Sequence, residues 1–258
     1  MTEVAWNRLT APELRRLAAT DAIVLLPIGS IEQHGPHLPT GVDAFLAGEV
    51  SLRAARLTHD TRPVVVAPTI WSGLAEHHMA FGGTFTLSLS TLQALLHDLC
   101  RSVIRAGFSK ILIVNGHGGN ITALDALVND LTATLSAQIA VTSYFTVGRE
   151  SIKRTLDTQD WLMHACEGET SMIMELSPEL VREEELKTAV GPEIRLQSEE
   201  TNPVHVSRSF KVICPTGVAG DARGASPAKG KSILDACARE LSVLLMSDII
   251  WAEEHGRE

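Results

Sequence analysis

The stretch AIVLLPIGSIEQHGPHLPTGVD, residues 22–43, decides the kind of fold and where chemistry can occur. Its first part, residues 22–28, is continuously apolar, which is typical of a strand buried on both faces of a parallel sheet. Polar and charged side chains follow at once, among them Glu32, His34, His37 and Asp43. We therefore predict a buried strand whose carboxyl end carries a cluster of carboxylates and imidazoles.

Strand-like and helical patterns alternate over the first 146 residues. The further β-branched or apolar runs are RPVVVAPTI (62–70), KILIVNG (110–116) and AQIAVTSYF (137–145). The helical patterns are APELRRLAA (11–19), AFLAGEVSLRAARL (44–57), TLQALLHDLCRSVIRAGF (91–108, with Ser90 as the expected N-cap) and ITALDALVNDLTATL (121–135). Such alternation favours right-handed βαβ units, so we predict an α/β fold with a mainly parallel sheet.

The second half of the chain is less regular. Residues 177–228 are rich in charge, proline and glycine and have no clear period, which indicates surface excursions of the same domain. The pattern GKSILDACARELSVLLMSDIIWAEE (230–254) predicts a long amphipathic closing helix. We expect one domain over residues 1–258, since a chain of this length can bury a sizeable core.

Composition excludes several classes of protein. A net charge of −9 argues against a protein that neutralises nucleic-acid phosphates. No window reaches 18 continuous apolar residues, and the N-terminal segment has no apolar signal-peptide core, so we expect neither a membrane span nor secretion. The four cysteines form no C-x-x-C pair. The prediction is a soluble cytoplasmic protein.

Two polar clusters follow predicted strands, where ligands of open α/β sheets bind. The first cluster is Glu32, Gln33 and His34, and the second is NGHGGN, residues 115–120. Residues two apart in an extended chain point to the same side, so Glu32 and His34 can converge on one object. Carboxylate and imidazole ligands from two strand ends match a site for a divalent metal.

Each residue taken alone also has a simpler interpretation. A histidine at a strand end is usually hydrogen-bonded and no more, and a turn such as GHGGN often needs positive φ. Asp43 precedes a helical pattern and could be an N-cap. The segment HACEGETS (164–171) could be an acidic helix start favoured by the helix dipole. The chain has no P-loop, nucleophile elbow or H-E-x-x-H motif.

Together the motifs resemble the creatininase (creatinine amidohydrolase) family. The segments LPIGSIEQHGPHLPTGVD, GLAEHHMAFGGTFTLS, ILIVNGHGGN, HACEGETS and GVAGDARGASPAKGK follow the order of that family from about residue 22 to residue 231. The resemblance implies a three-layer α/β sandwich with a two-metal centre, commonly in a homohexamer. It also implies a hydrolase that attacks a polarised carbonyl with water.

The resemblance carries a ligand set onto this chain. Glu32, His34, Asp43 and His117 match the metal ligands of the family, and Asp43 matches its bridging carboxylate. True creatininases have Tyr-Glu where this chain has Gly118 and Gly119. Glu169 is then the expected replacement ligand, with Glu167 as the second choice. The predicted metal ligands are therefore Glu32, His34, Asp43, His117 and Glu169.

The departure at the two glycines also bears on the substrate. Losing a ligand and an aromatic side chain reshapes the pocket, so we expect a substrate other than creatinine. The predicted activity is cleavage of a C–N bond in a cyclic amide or related small molecule. Relatives that hydrolyse a cyclic keto-inositol, or act in mycofactocin peptide maturation, supply the alternatives. A metal-binding or sugar-binding protein without catalysis is the rival class.

The expected mechanism uses two divalent ions, Zn, Mn or Fe, about 3.5–4 Å apart and sharing Asp43. A bridging water, with its pKa lowered from near 16 to roughly 7, supplies hydroxide to the carbonyl. His164 and Glu167 are the candidate proton carriers, with metal-ligand support as the other interpretation. His37 is expected to be structural, and one of Glu76, His77 and His78 is expected to line the pocket.

Overall fold

A computed structural model describes residues 2–194 and 206–251. Within these ranges four strands form one parallel sheet in the order β2-β1-β3-β4. The strands are Ile23–Ile28 (β1), Val64–Val66 (β2), Lys110–Asn115 (β3) and Gln138–Ser143 (β4). The four predicted strands and the parallel sheet are therefore confirmed.

Helices connect and cover the strands. Those in the described ranges are Ala11–Ala19 (α1), Val42–Thr58 (α2), Leu89–Arg105 (α3), Ile121–Thr134 (α4), Tyr144–Val147 (α5), Arg149–Thr155 (α6), Glu167–Leu176 (α7), Glu183–Leu186 (α8), Phe210–Ile213 (α9) and Pro227–Met246 (α10). Short 3₁₀ turns include Glu76–Phe81 and Gly118–Asn120. None of the helices in the described part of the chain is long and apolar enough to cross a membrane.

Successive residues of the central strands enter two different cores. Ile23 and Leu25 of β1 belong to a core that includes side chains of α2, α7 and α10. Val24 and Leu26 belong to a second core with side chains of α1, α3 and α4. Because strand side chains alternate between the two faces, helices cover the sheet on both sides. The fold is the predicted three-layer α/β sandwich.

The strand order creates a switch point between β1 and β3. The chain leaves β1 to form β2 on one side, and it later forms β3 on the other side of β1. Crevices for ligands form outside the carboxyl ends of the strands at such a point. The amide of Gly116, which follows β3, donates to the carbonyl of Ile28 at 2.8 Å. The two polar clusters predicted after these strands are thus neighbours.

Element boundaries differ from the predictions at a few places. The N-cap of α3 is Ser88 rather than Ser90, because the Ser88 hydroxyl accepts from the Thr91 amide at 3.2 Å. The predicted closing helix ends at Met246, and a 3₁₀ turn, Ile249–Trp251, follows it. Residues 195–205 of the irregular segment and residues 252–254 of the predicted helix lie outside the described residues.

Candidate metal centre

The first turn of α2 lies directly against the ends of β1 and β3. A Cβ on Gly29 would stand 2.3 Å from the Ala44 amide nitrogen, and one on Gly116 would stand 2.5 Å from the Asp43 carbonyl oxygen. Only glycine allows such close approach of two backbones. Asp43, in the first turn of α2, is thereby held between the two strand ends, where the helix dipole favours its negative charge.

The two carboxylate oxygens of Asp43 face two different groups of side chains. Asp43 Oδ1 lies 3.1 Å from His34 Nε2, and Glu169 Oε1 lies 4.0 Å from the same nitrogen. Asp43 Oδ2 lies 3.0 Å from His117 Nδ1, and Glu32 Oε2 lies 3.2 Å from that nitrogen. We call His34, Asp43 and Glu169 the first ligand group, and Glu32, Asp43 and His117 the second ligand group. Asp43 has the geometry of a carboxylate shared by two ions.

Hydrogen bonds orient both imidazoles toward these carboxylates. His34 Nδ1 lies 3.1 Å from the Glu32 carbonyl oxygen, and His117 Nε2 lies 3.1 Å from the Leu74 carbonyl oxygen. Each of these nitrogens can donate only when it carries the proton. The opposite nitrogen then presents a lone pair to the carboxylates, which is how second-sphere carbonyls prepare a histidine to bind a metal.

Buried oxygens without partners test whether a metal fits. Glu32, Asp43 and Glu169 are each at most 6% exposed. Glu32 Oε2, Asp43 Oδ2 and Glu169 Oε2 accept no hydrogen bond from the described residues. Buried carboxylates whose oxygens lack hydrogen-bond donors are costly unless a cation offsets their charge. With two imidazoles among them, this oxygen and nitrogen donor set fits divalent ions such as zinc or manganese.

The pKa values show how strongly the cluster requires positive charge. Burial, together with the charge of Asp43, raises the pKa of Glu169 to about 7. Burial acts to lower the pKa of His34, yet the carboxylates of Asp43, Glu169 and Glu32 raise it to about 9. The pKa of His117 is also raised well above its usual value, because Glu32 and Asp43 outweigh the effect of burial. A bound cation would supply the same positive charge as these protons.

All five predicted ligands thus meet in one cluster. Similarity to known proteins supports the same interpretation, since the model of the creatininase family, described as creatinine amidohydrolase, matches residues 7–245. This chain belongs to the creatininase family. Its relatives differ in what their names say they act on.

Among these relatives, a mycofactocin precursor peptide peptidase of Mycolicibacterium smegmatis is 33% identical over 221 residues, which cover 85% of this chain and 82% of the relative. A creatinine amidohydrolase of Pseudomonas putida is 26% identical and covers 93% of both chains. A 3-dehydro-scyllo-inosose hydrolase of Thermotoga maritima is 28% identical over 71% of this chain and 59% of its own length.

Solved structures agree with the fold. A structure from Bacteroides fragilis aligns with a TM-score of 0.81 and 26% identity over 99% of this chain and 100% of that one. A zinc–zinc form of a mutant creatininase aligns with a TM-score of 0.76 and 25% identity over 95% of this chain and 98% of that one. That mutant creatininase, by its description, is a form with two zinc ions.

His164 lies against the ligand groups of this creatininase-family chain. Its Nε2 lies 2.7 Å from the Gln33 carbonyl oxygen, and its Nδ1 lies 3.4 Å from Glu32 Oε1. Its ring centroid is 4.2 Å from that of His34. Burial, followed by the charge of His34, lowers the pKa of His164 well below its usual value. The same Nε2 also lies 2.9 Å from the Gln33 side-chain nitrogen. When His164 Nε2 carries the proton and donates to the Gln33 carbonyl oxygen, Nδ1 presents its lone pair toward Glu32.

Glu167, the other predicted proton carrier, is not brought to the cluster, and its part in proton transfer stays a prediction. Its carboxylate accepts hydrogen bonds from the Thr158 amide at 2.9 Å, the Thr158 hydroxyl at 2.6 Å and the Asp157 amide at 3.1 Å. Lys229 forms an ion pair with it. Glu167 and Glu169 are two positions apart on α7, about 200° around the helix axis, so their side chains leave on nearly opposite faces. Of these two glutamates, only Glu169 lies near His34.

The segment Glu76–Phe81 supplies two histidines rather than one. His78 is buried, with Nδ1 2.9 Å from Gln33 Nε2 and Nε2 3.4 Å from Glu32 Oε1. The ring of His77 packs beside that of His117, while Glu76 is exposed. The prediction that one of the three lines the pocket therefore understated the contribution of this segment.

Two further buried side chains, His37 and Phe210, lie next to the two ligand groups. His37 is buried with Nε2 2.8 Å from the Thr170 hydroxyl, so it joins the loop after β1 to α7 beside Glu169. The buried ring of Phe210 lies 4.5 Å from the ring of His78 and 4.8 Å from that of His164. Sequence reasoning missed Phe210, because its segment has no hydrophobic period to mark a buried position.

Proposed function

We propose that this chain is a two-metal hydrolase that cleaves a C–N bond in a cyclic amide or related small molecule. Its proposed ligands are Glu32, His34, Asp43, His117 and Glu169. The observation that carries the proposal is the pair of Asp43 oxygens, one 3.1 Å from His34 and the other 3.0 Å from His117. A carboxylate that only capped a helix would not need both oxygens buried among ligand-type side chains.

The chain's own residues supply positioning and proton transfer. Bound zinc, manganese or iron ions would polarise a carbonyl and lower the pKa of water from 15.7 to about 7. His164 Nδ1 is proposed to take a proton from the attacking water and to return it to the leaving nitrogen. This role requires the tautomer in which His164 Nε2 donates to the Gln33 carbonyl oxygen and Nδ1 is unprotonated. Phe210 and His78 pack against the same ring and keep bulk water from it.

The two glycines of the NGHGGN motif support a substrate other than creatinine. Position 119 has no space for a side chain, since a Cβ there would lie 2.4 Å from His117 Nε2. A pocket wall built from position 119 is therefore impossible in this chain. Different neighbours, His77 and Phe210, stand near His117 and His78 instead.

A peptide is the second candidate substrate. The observation favouring it is the 33% identity to a mycofactocin precursor peptide peptidase, which exceeds the 26% identity to a creatinine amidohydrolase. The same ligand groups serve hydrolysis of a peptide bond, a cyclic amide or a cyclic keto-inositol, because each reaction begins with water attack on a carbonyl. A binding protein without catalysis has no observation in its favour.

Elemental analysis of the purified protein tests the metal centre. We expect about two divalent ions per chain in the wild type, in line with other two-metal hydrolases. Asp43→Ala should lose most of both ions together with activity. Asp98→Ala is the matched control, because the Asp98 side chain is 66% exposed on α3. A wild type that stays metal-free after reconstitution would sink the proposal.

A substrate panel then separates the candidates. Cyclic amides including creatinine, short peptides and cyclic ketones would be offered to the metal-loaded enzyme. Hydrolysis of a cyclic amide other than creatinine supports the main proposal. Cleavage of peptides alone would instead support a peptide as the substrate. Full metal occupancy with no hydrolysis of any class would favour the binding protein.

Assembly and location are further proposals. Trp71 is 54% exposed and Phe85 is 59% exposed, and their rings meet edge to face at 5.5 Å. We propose that this apolar surface is covered in a homo-oligomer, a hexamer by resemblance to the family. The four cysteines are buried free thiols, which suits the reducing cytoplasm. We also propose that residues 1–258 form one domain.

A further inference from the structure

The backbone at Gly119 leaves no room for a side chain, and His77 stands beside it. A Cβ on Gly119 would lie 2.4 Å from His117 Nε2, 2.7 Å from the Leu74 carbonyl oxygen and 2.7 Å from His77 Cε1. The first two atoms form the hydrogen bond that orients His117. Any residue larger than glycine would displace either that hydrogen bond or His77. Gly119 therefore keeps His77 next to the second ligand group.

His77 lies where another ligand of that group would lie. One of its ring nitrogens is within 4.8 Å of ligand atoms of both Glu32 and His117. The His77 and His117 rings are 5.6 Å apart between centroids, with 13° between their planes. Zinc–nitrogen bonds are about 2.0–2.1 Å, so donors on opposite sides of one ion are about 4 Å apart. Rotations that move these atoms by at most about 1 Å would place them on one ion.

The ring nitrogens of His77 are also not engaged elsewhere. Its ring packs against the rings of His78, His117 and Phe210. Among residues 2–194 and 206–251, no hydrogen bond or ion pair holds either nitrogen. A half-buried imidazole placed against a ligand histidine, with its lone pair uncommitted, is suited to coordinate.

We propose that His77 is a fourth protein ligand, bound to the ion that Glu32, Asp43 and His117 hold. This inference rests on the proposed metal centre. It makes the two positions chemically unequal, because the second ligand group then has two imidazoles and the first has only His34. Imidazole suits zinc, whereas carboxylate oxygen also suits manganese. The second position should therefore prefer zinc, while the first accepts manganese more readily.

Metal titration of the metal-free protein tests this assignment. In His77→Ala and His77→Gln, one of the two zinc equivalents should bind more than about 100-fold more weakly than in the wild type. Removing a group that only orients a ligand typically costs about 10–100-fold. His97→Ala is the control, since His97 is a partly exposed histidine on α3. The glutamine variant preserves side-chain volume if alanine disturbs folding.

X-ray absorption spectroscopy counts the imidazoles directly. Three histidines on two zinc ions give about 1.5 imidazoles per zinc in the wild type, and both His77 variants should give about 1. An unchanged count, or a loss of affinity below 100-fold, overturns the role of His77 as a ligand. If the wild type itself binds no metal, the proposed function fails as a whole. If it binds two ions that ignore His77, only this inference fails.

Discussion

Replacing Lys229 tests whether Glu167 serves the fold rather than the reaction. The carboxylate of Glu167 is fully buried and accepts bonds from Thr158, Asp157 and Lys229. Lys229 also donates to the Gly224 carbonyl oxygen at 2.7 Å. Lys229→Met keeps the apolar stem of the side chain and removes its charge. The variant therefore leaves a buried carboxylate without its cation.

The structure sets the size of the expected effect. Removing one partner of a buried ion pair costs about 3–5 kcal/mol. The Lys229 side chain is 19% exposed, and Thr158 and Asp157 continue to donate to Glu167, so we expect about 3 kcal/mol, the lower end of that range. For a chain of this size, that loss corresponds to a melting temperature lower by about 6–12 °C.

Lys231→Met is the matched control, because it makes the same substitution two residues later in α10. Lys231 pairs with Asp235, but its side chain is 62% exposed, and such surface pairs contribute about 0–1 kcal/mol. Calorimetry of both variants at saturating zinc would measure the difference. Equal melting temperatures would refute the reasoning. So would a Glu167→Gln variant that loses turnover by 10²-fold or more with metal content and melting temperature unchanged, since that is the signature of a proton carrier.

Three further predictions concern other parts of the molecule. His164→Gln should lower kcat by about 10²–10⁴-fold while elemental analysis still finds both metals; loss of a metal would make His164 a ligand instead. Burial and the charge of His34 lower the pKa of His37 from 6.5 to about 4. Neutral His37 therefore contributes its full stabilisation above pH 6.5, and this contribution decreases as the pH falls from 6.5 and is lost below 4. Thermal melts of His37→Gln should therefore depend less on pH between 4 and 6.5, and parallel curves would contradict this. Trp71→Arg should reduce the oligomer mass measured by light scattering, whereas Leu57→Arg, at a side chain that is 58% exposed, should not; an unchanged mass for Trp71→Arg would remove that surface from the interface.

The strands were predictable because the sheet is covered on both faces. β1 and β3 are buried along almost their whole length, and such continuous apolar runs are typical of a parallel sheet covered by helices. The helices with one apolar face, such as α3, could be read from their period. The apolar pattern does not predict the order of the strands in the sheet. That β1 and β3 are neighbours follows from long-range packing, and it is this contact that unites the two halves of the site.

The local sequence around Asp43 predicts only part of its role. Its position before a helical pattern is equally typical of an N-cap, and nothing nearby in the sequence separates the two roles. In the structure α2 has Gly41 at the N-cap, and Asp43 lies inside the first turn. Its carboxylate faces His34, close in sequence, and His117, 74 positions further along the chain. The resemblance to a family supplied the shared role that the local pattern left open.

The hydrophobic period of the sequence could not show whether Glu167 or Glu169 is the fifth metal ligand. Every residue of α7 from Glu167 to Ile173 is buried, so the helix has no exposed face from which its orientation could be read. What separates the two carboxylates is the charge each one meets. Glu167 meets the ammonium of Lys229 and is neutralised by the protein itself. Glu169 meets His34 and the carboxylate of Asp43, and burial raises its pKa to about 7. A buried carboxylate with its own lysine needs no metal, whereas one that shares its cavity with another carboxylate requires a cation from outside the chain. On that physical ground we propose Glu169 as the metal ligand and assign Glu167 a structural role.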